Sequence, residues 1–375
     1  MRNHNQIKID QTLHGYEEGH CLLASSRNIS KNAQRTMVVL SDMSGQSMVP
    51  GFDSYLTGYP LYDEEVYAFA KTWYAPEMKR PGCVWTHTLL IKEDDFREIH
   101  DLAIVCNLFR RPSKQLSKHL YENQIIVGDT NEIDDGLNGV NSDYYYGINE
   151  VSSQEDMIRN IIFYLYGDPD NPCLLLPALK SATYERIVLN LWSQQWPELR
   201  QNFAFCTGSL SNRLLNGKNF DLQIIPAKSI RQFEREMPNA IILQWEENQL
   251  SLYSKRDNIA DREIWRSEQW ISTVTKDLLC NKHLEFRKYL WEVGMKGRRS
   301  SYVPLVKIYN CLEALNTNEI TTEGLLAEIQ EYYKDQHEGV RLKKRIFGPF
   351  EKNQRSLIKD CDESDLLRTL AVTTY

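Results

Sequence analysis

Two histidines, two acids and two glycines lie together in Gln11-Thr-Leu-His-Gly-Tyr-Glu-Glu-Gly-His-Cys-Leu-Leu-Ala-Ser-Ser, residues 11–26. No other stretch of the chain is as dense in potentially reactive groups. An imidazole can act as a general base, a proton shuttle or a metal ligand, and a carboxylate can complete either kind of site. Joined by Asp42 and His87, the residues His14, Glu17 and His20 would make a metal-assisted or acid–base hydrolytic centre. Ligands three residues apart share one face of a helix, but Gly15 and Gly19 favour backbone angles that belong to a loop. The spacing therefore names no metal and no cofactor. The competing reading is a hairpin with a solvated tip, whose histidines hydrogen-bond the backbone.

Further candidates are thinner. Asp42 and Ser44 flank Met43, and either could pair with His14, His20 or His87 as nucleophile and base; turn formation explains the same two residues. Cys83-Val-Trp-Thr-His-Thr-Leu-Leu-Ile reads as a strand. Alternation then puts Trp85, His87 and Leu89 on one face and Thr86, Thr88 and Leu90 on the other. Cys83 and His87 would share a face with no third partner. Several nucleotide and hydrolase signatures are missing. Asn216-Gly-Lys lacks the upstream glycine and following Ser or Thr of a phosphate loop, and Thr207-Gly-Ser reads as a turn, not a nucleophile elbow. No Gly-x-Gly-x-x-Gly or His-Glu-x-x-His occurs. These absences argue against nucleotide hydrolysis by this chain.

The elements that must hold these groups follow from periodicity. Ile7 to Leu13 and Cys21 to Ala24 read as a hairpin with a loop of about five residues. Ser30 opens a helix to Leu40. Ser41-Asp-Met-Ser-Gly and Thr57-Gly-Tyr-Pro read as loops, Tyr67 to Tyr74 and Cys83 to Ile91 as strands, and Asp94 to Phe109 as a helix stopped by Pro112. Residues 128–150, rich in Gly, Asn and Asp, read as a boundary. Ser152-x-x-Glu155 is a capping box ahead of a helix. Tyr184, Ile187, Val188, Leu191 and Trp192 recur on one helical face. Cys173–Leu176, Phe203–Thr207, Asp221–Ile225 and Ala240–Trp245 read as strands. Beyond about residue 257 the pattern is helical, with stripes at Leu305, Ile308, Tyr309, Leu312 and at Leu325, Ile329, Tyr332, Tyr333.

This predicts an α+β protein in three parts: an N-terminal mixed sheet with helices over 1–150, a small α/β unit over 151–256 and a helical region over 257–375. A chain of 375 residues exceeds one ordinary core. Its 42% hydrophobic and 25% charged content is that of a soluble globular protein. No apolar run reaches the roughly 18 residues a membrane helix needs, and the polar opening has no signal-peptide apolar region. The cytoplasm is the expected compartment, and no membrane contact is expected. The eight cysteines are scattered without any Cys-x-x-Cys pair and read as small buried hydrophobes. A net charge of −7 argues against a general nucleic-acid coat. The local basic cluster Arg341, Lys343, Lys344 and Arg345 is either a phosphate contact or a solvated helix face.

Six blocks in fixed order carry a resemblance: residues 11–20, Leu22-Leu-Ala-Ser-Ser, Leu40-Ser-Asp-Met-Ser-Gly, Tyr55-Leu-Thr-Gly-Tyr-Pro-Leu, Lys71-Thr-Trp-Tyr-Ala and Arg80-Pro-Gly-Cys-Val-Trp-Thr-His. They resemble the type-one N-terminal domain of bacterial GTPase-associated proteins. Phe109-Arg-Arg-Pro extends the match. Pro197-Glu-Leu-Arg-Gln-Asn-Phe-Ala-Phe-Cys-Thr-Gly-Ser is similar to the middle domain of the same proteins. The resemblance implies a role in bacterial conflict or anti-phage systems, as an adaptor coupling a GTPase or other NTPase to an effector, either as one copy or as a homo-oligomer. It carries no catalytic residues over to this chain. Arginines and aromatics favour protein interfaces, so Tyr16, Tyr55, Tyr59, Arg80, Arg110 and Arg111 are the expected partner-binding residues. The alternatives are the hydrolase above and a nucleic-acid sensor using Arg341 to Arg345.

Overall fold

The computed structural model describes residues 7–45, 47–78, 80–99, 101–112, 118–127, 151–167, 172–246, 249–253, 268–280, 284–334 and 338–347. The chain opens with β1 (Ile7–Tyr16) and β2 (His20–Ser25), an antiparallel hairpin in which Tyr16 opposes His20. The connecting turn is three residues, Glu17 to Gly19, shorter than the five expected. Helix α1 (Lys31–Ser41) follows, capped by Ser30, whose Oγ accepts the Ala33 N–H. Then come β3 (Ser54–Leu61), β4 (Val66–Tyr74), β5 (Val84–Lys92), α2 (Leu102–Val105) and β6 (Ile125–Val127).

Two expectations fail here for physical reasons. Thr57-Gly-Tyr-Pro lies within β3 and is not a loop. A Cβ on Gly58 would sit 2.4 Å from the Tyr67 Oη and 2.5 Å from the Phe205 ring, so this glycine serves close packing. Pro60 lies beyond Thr57 and Gly58, the only β3 residues that pair with β8, so the strand has an open side where proline is tolerated. The helix expected over 94–109 is broken into a 3-10 turn at Glu93–Arg97, α2 and a second turn at Cys106–Leu108. Asp101, extended at φ −131°, caps α2 by accepting the Ala103 N–H and so begins a new helix.

The middle of the chain supplies α3 (Val151–Ile162), β7 (Leu174–Ala178), α4 (Glu185–Gln194), α5 (Pro197–Asn202), β8 (Phe205–Cys206), β9 (Leu214–Leu215), β10 (Lys218–Asn219), β11 (Leu222–Pro226), α6 (Ile230–Glu236), β12 (Ile241–Glu246) and β13 (Gln249–Tyr253). The last part is helical: α7 (Gln269–Cys280), α8 (Leu284–Val293), α9 (Tyr302–Asn316), α10 (Thr322–Tyr332) and α11 (Val340–Phe347).

One sheet of eleven strands runs β13-β12-β7-β11-β8-β3-β4-β5-β1-β2, with β6 also on β1. Strands β12, β7, β11 and β8 are parallel neighbours, and β3, β4, β5, β1 and β2 are antiparallel. The sheet joins strands from both sides of residues 128–150, which lie outside the described residues together with the boundary expected there. One sheet face is covered by α1, where Met37 and Leu40 meet Tyr55, Tyr59 and Leu90. The opposite face, with Leu56, Phe69 and Leu89, shares a core with Trp192 of α4 and with the C-terminal helices as far as Ile346. The fold is α+β. No helix among the described residues is long and apolar enough to cross a membrane.

The Arg200 side chain lies in this second core, fully buried. Its guanidinium donates to the carbonyls of Ile99 (2.7 Å), Trp192 (3.1 Å) and Ser193. The Trp192 and Trp291 rings lie 4.6 and 4.5 Å from its central carbon.

Candidate functional site

The site builds from the hairpin. In the register, His14 opposes Thr86 of β5, whereas Leu13 opposes His87. Successive strand residues point to opposite faces, so His14 faces α1 and His87 faces the other side. The five residues expected to form one hydrolytic centre are thereby divided by the sheet.

On the α1 side, His14 is fully buried in mid-strand and not on the hairpin rim. Its ring stacks on that of His20, centroids 6.2 Å apart and planes 20° from parallel. Neither His14 nitrogen has a hydrogen-bond partner among the described residues, and the hydroxyls of Thr12 and Thr88, register partners one position along this face, are equally bare. Burial, then the charge of His20, lowers the His14 pKa to about 3, so the ring is neutral at ordinary pH. His20 is half-buried. Its Nε2 lies 2.9 Å from Ser41 Oγ and its Nδ1 3.8 Å from Asp42 Oδ1. Burial lowers the His20 pKa, the Asp42 carboxylate opposes that, and the Arg213 guanidinium adds to it.

Ser41, His20 and Asp42 thus stand in the order of a nucleophile, a base and an orienting carboxylate. Other features oppose acyl transfer in this conformation. Ser41 is 1% exposed, so no substrate carbonyl reaches it. Its hydroxyl proton has a competing acceptor in the Val38 carbonyl, 3.3 Å away. It is also the last residue of α1, where the helix dipole presents partial negative charge to a developing oxyanion.

His87 does different work. The Arg110 backbone N–H donates to its Nδ1 at 3.0 Å, which leaves the proton on Nε2 to bond Gln11 Oε1 at 2.8 Å. The Gln11 amide then donates to the carbonyls of Leu120 and Asn123. Phe109 and Tyr121 close on the ring edge-on, and burial, then Arg110, lowers its pKa to about 3. This is a neutral, fully satisfied histidine that fixes the 109–123 segment to the sheet.

The remaining expected residues are scattered. Glu17 is exposed at the hairpin tip and pairs with Lys118 at 3.3 Å. Neither Gly15 nor Gly19 has a positive φ. Gly15 is required because a Cβ there would meet the Trp85 ring at 2.5 Å, and Trp85 is held by its N–H bond to Glu77. Ser44 is a staple: it donates to the Gly208 carbonyl at 2.5 Å and accepts the Leu210 N–H. Tyr55 and Tyr59 are buried under α1, which removes them from any recognition surface. Tyr16 is half-buried, while Arg80, Arg110 and Arg111 are exposed. Arg111 pairs with Glu77 at 2.7 Å, so the 76–82 connector and the 109–112 segment lie side by side. Of the basic cluster, Arg341 is bound to Glu198, Arg345 to Glu292, and Lys343 to the Tyr333 carbonyl; Lys344 is exposed.

Three residues of this site went unread in the sequence. Ser41 carries a local signal, its place beside Asp42 at the end of a capped helix. Arg213, which donates to the Asp42 carbonyl at 2.8 Å, and Gln11, which orients His87, depend on long-range pairing and carry none. Among the described residues, no group of three or more His, Cys, Asp or Glu side chains is placed to hold a metal ion.

The hairpin, its capping helix and the antiparallel half of the sheet define an α+β module whose histidine motif is built inward. Residues 8–109 match the family described as GTPase-associated protein 1, N-terminal domain type 1. Over these residues the chain is similar to the GTPase-associated protein family. No curated protein matches the chain.

Proposed function

We propose that this protein is a non-catalytic adaptor or regulatory subunit, coupling a GTPase or other NTPase of a bacterial defence system to an effector through protein contacts. The observation that carries this reading is the division of the histidine motif by the sheet, with a sealed polar pair on one side and a structural histidine on the other. The family description supports the GTPase link, and the missing phosphate loop supports a partner that supplies the nucleotide chemistry. The contact surface would centre on Arg80 and Arg110, exposed cations without an ion pair among the described residues, on Arg111 beside them, and on Tyr16 near the hairpin tip. An adaptor that prefers one nucleotide state of its partner transmits that state by differential affinity.

The test is capture of partners from the native host by the tagged full chain and by an Arg80→Glu/Arg110→Glu variant. A stoichiometric NTPase retained by the wild type and lost by the variant is the expected result. Equal capture by both, or no NTPase at all, overturns it. The hydrolase reading has one observation in its favour, the order Ser41–His20–Asp42. It requires α1 to part from β2, and it predicts labelling of Ser41 by a fluorophosphonate probe.

A further inference from the structure

A cleft of about 740 Å³ opens at the N-terminal ends of the parallel strands β7, β11 and β12, far along the sheet from the histidine motif. Its walls come from five separate pieces of chain: residues 172–173 ahead of β7, α5 with the residue following it, residues 217–221 from the β9–β10 hairpin onward, residues 239–240 ahead of β12, and the segment 297–300. The hairpin turns on Asn216 and Gly217, both at positive φ (50° and 78°), which aims Lys218 and Asn219 at the cleft mouth. Gly297 lets the loop approach α5, since a Cβ there would sit 2.5 Å from the Glu198 carbonyl oxygen.

The charges in this cleft are one-sided. Lys218 and Arg298 are exposed, and their side chains form no ion pair or hydrogen bond among the described residues. The one carboxylate in the described lining, Asp221, is already committed: it pairs with Arg299 at 3.1 Å and accepts the Ala204 N–H at 2.8 Å. Arg299 is itself anchored to the carbonyls of Leu165 and Pro172. The neutral lining groups add donors. Asn219 has its oxygen occupied by Asn212, which leaves its NH₂ to donate, and Asn239 and Ser300 are exposed beside it. In a chain where acids outnumber bases by 51 to 44, two unpartnered cations and three free donors around one concavity call for an anion. The volume falls in the range of small-molecule sites and exceeds what a bare oxyanion fills. Pro172, Leu199 and Phe203 give the remaining wall an apolar character.

We propose that this cleft binds a phosphate-bearing small molecule about the size of a mononucleotide, with Lys218 and Arg298 on the phosphate and Asn219, Asn239 and Ser300 completing its shell. This site is separate from the adaptor surface proposed above.

The test is isothermal titration of the full chain with AMP, ribose 5-phosphate and inorganic phosphate, with adenosine and ribose as unphosphorylated controls. Saturable binding of a phosphate ester is expected, weakened by added salt and by about tenfold or more in a Lys218→Ala/Arg298→Ala variant. Both side chains are exposed and partnerless, so thermal unfolding should stay unchanged and separate lost binding from lost fold. Lys344→Ala, exposed and outside the cleft lining, should bind as the wild type does; Asn239→Asp should bind more weakly. No binding of any phosphate compound, equal binding of the unphosphorylated controls, or undiminished binding by the double variant overturns the proposal. So does inorganic phosphate binding as tightly as its esters, because the bare anion would then be the ligand.

Discussion

His14 and His87 differ by one strand position in register and by everything that surrounds them. His87 satisfies both ring nitrogens, and truncating it would orphan the Gln11 amide oxygen and the Arg110 N–H. His87→Leu is therefore expected to lower stability by about 1–3 kcal/mol, measured by urea unfolding. The His14 ring forms no hydrogen bond among the described residues, so His14→Leu should be near neutral or stabilising in the same assay; a loss as large as that of the His87 variant would show that the bare ring nitrogens have a partner after all. Both rings titrate far below the ordinary value of 6.5, at about 3. The unfolded chain then binds more protons than the folded one between those limits, so stability is full above about pH 6.5 and falls as pH drops toward 3. Each histidine contributes a slope of about 1.4 kcal/mol per pH unit in that window. Unfolding of the His14→Leu protein followed from pH 7 to 4 should show a shallower decline than the wild type.

At the scale of elements, the hairpin, the helix capped by Ser30, β4, β5 and the helix through Trp192 were legible because each carries its own periodicity or cap. Thr57-Gly-Tyr-Pro was not. Its composition is that of a turn, and only the Tyr67 and Phe205 side chains, distant in sequence, explain why a glycine must lie in a strand there. The 94–109 segment misled in the opposite sense, since acids at its start suggested one long helix and a single aspartate at 101 restarted it. The His/Glu motif was legible as a motif but not as two half-sites, because that depends on the register of β1 against β5. Gly15 illustrates the same point and gives a test. Gly15→Ala keeps an allowed backbone but drives a methyl into Trp85, which its bond to Glu77 holds in place. A cost of about 1–3 kcal/mol is expected from overpacking, and Gly19→Ala, with no atom within 4 Å, should cost far less.

At the scale of the whole molecule, the antiparallel and parallel halves of the sheet meet at β8, which has two residues, Phe205 and Cys206. Six strand positions pair there, Thr57 and Gly58 on one side, Leu222 and Gln223 on the other and the two of β8 between them, and backbone bonds from Thr207 to Leu56, from Ser209 to Ile224 and from Asp221 to Ala204 extend the junction. Side chains reinforce it, with Tyr67 Oη donating to the Phe203 carbonyl and Thr207 Oγ1 accepting the Leu56 N–H. Thr207→Val keeps the shape and removes that acceptor. It should cost roughly 1–3 kcal/mol and, by hydrogen exchange, loosen β3 and β8 together, whereas exchange confined to one half would mean that the junction is held elsewhere.

The guanidinium of Arg200 has a consequence for the order in which the chain is made. Its carbonyl acceptors lie at residues 99, 192 and 193, and the second of its two flanking rings lies at 291. On the ribosome the cation and these three carbonyls emerge before that ring does. A nascent chain stopped short of residue 291 would hold a desolvated charge with one side open, so the core behind the sheet stays provisional until the third helix-rich part is synthesised.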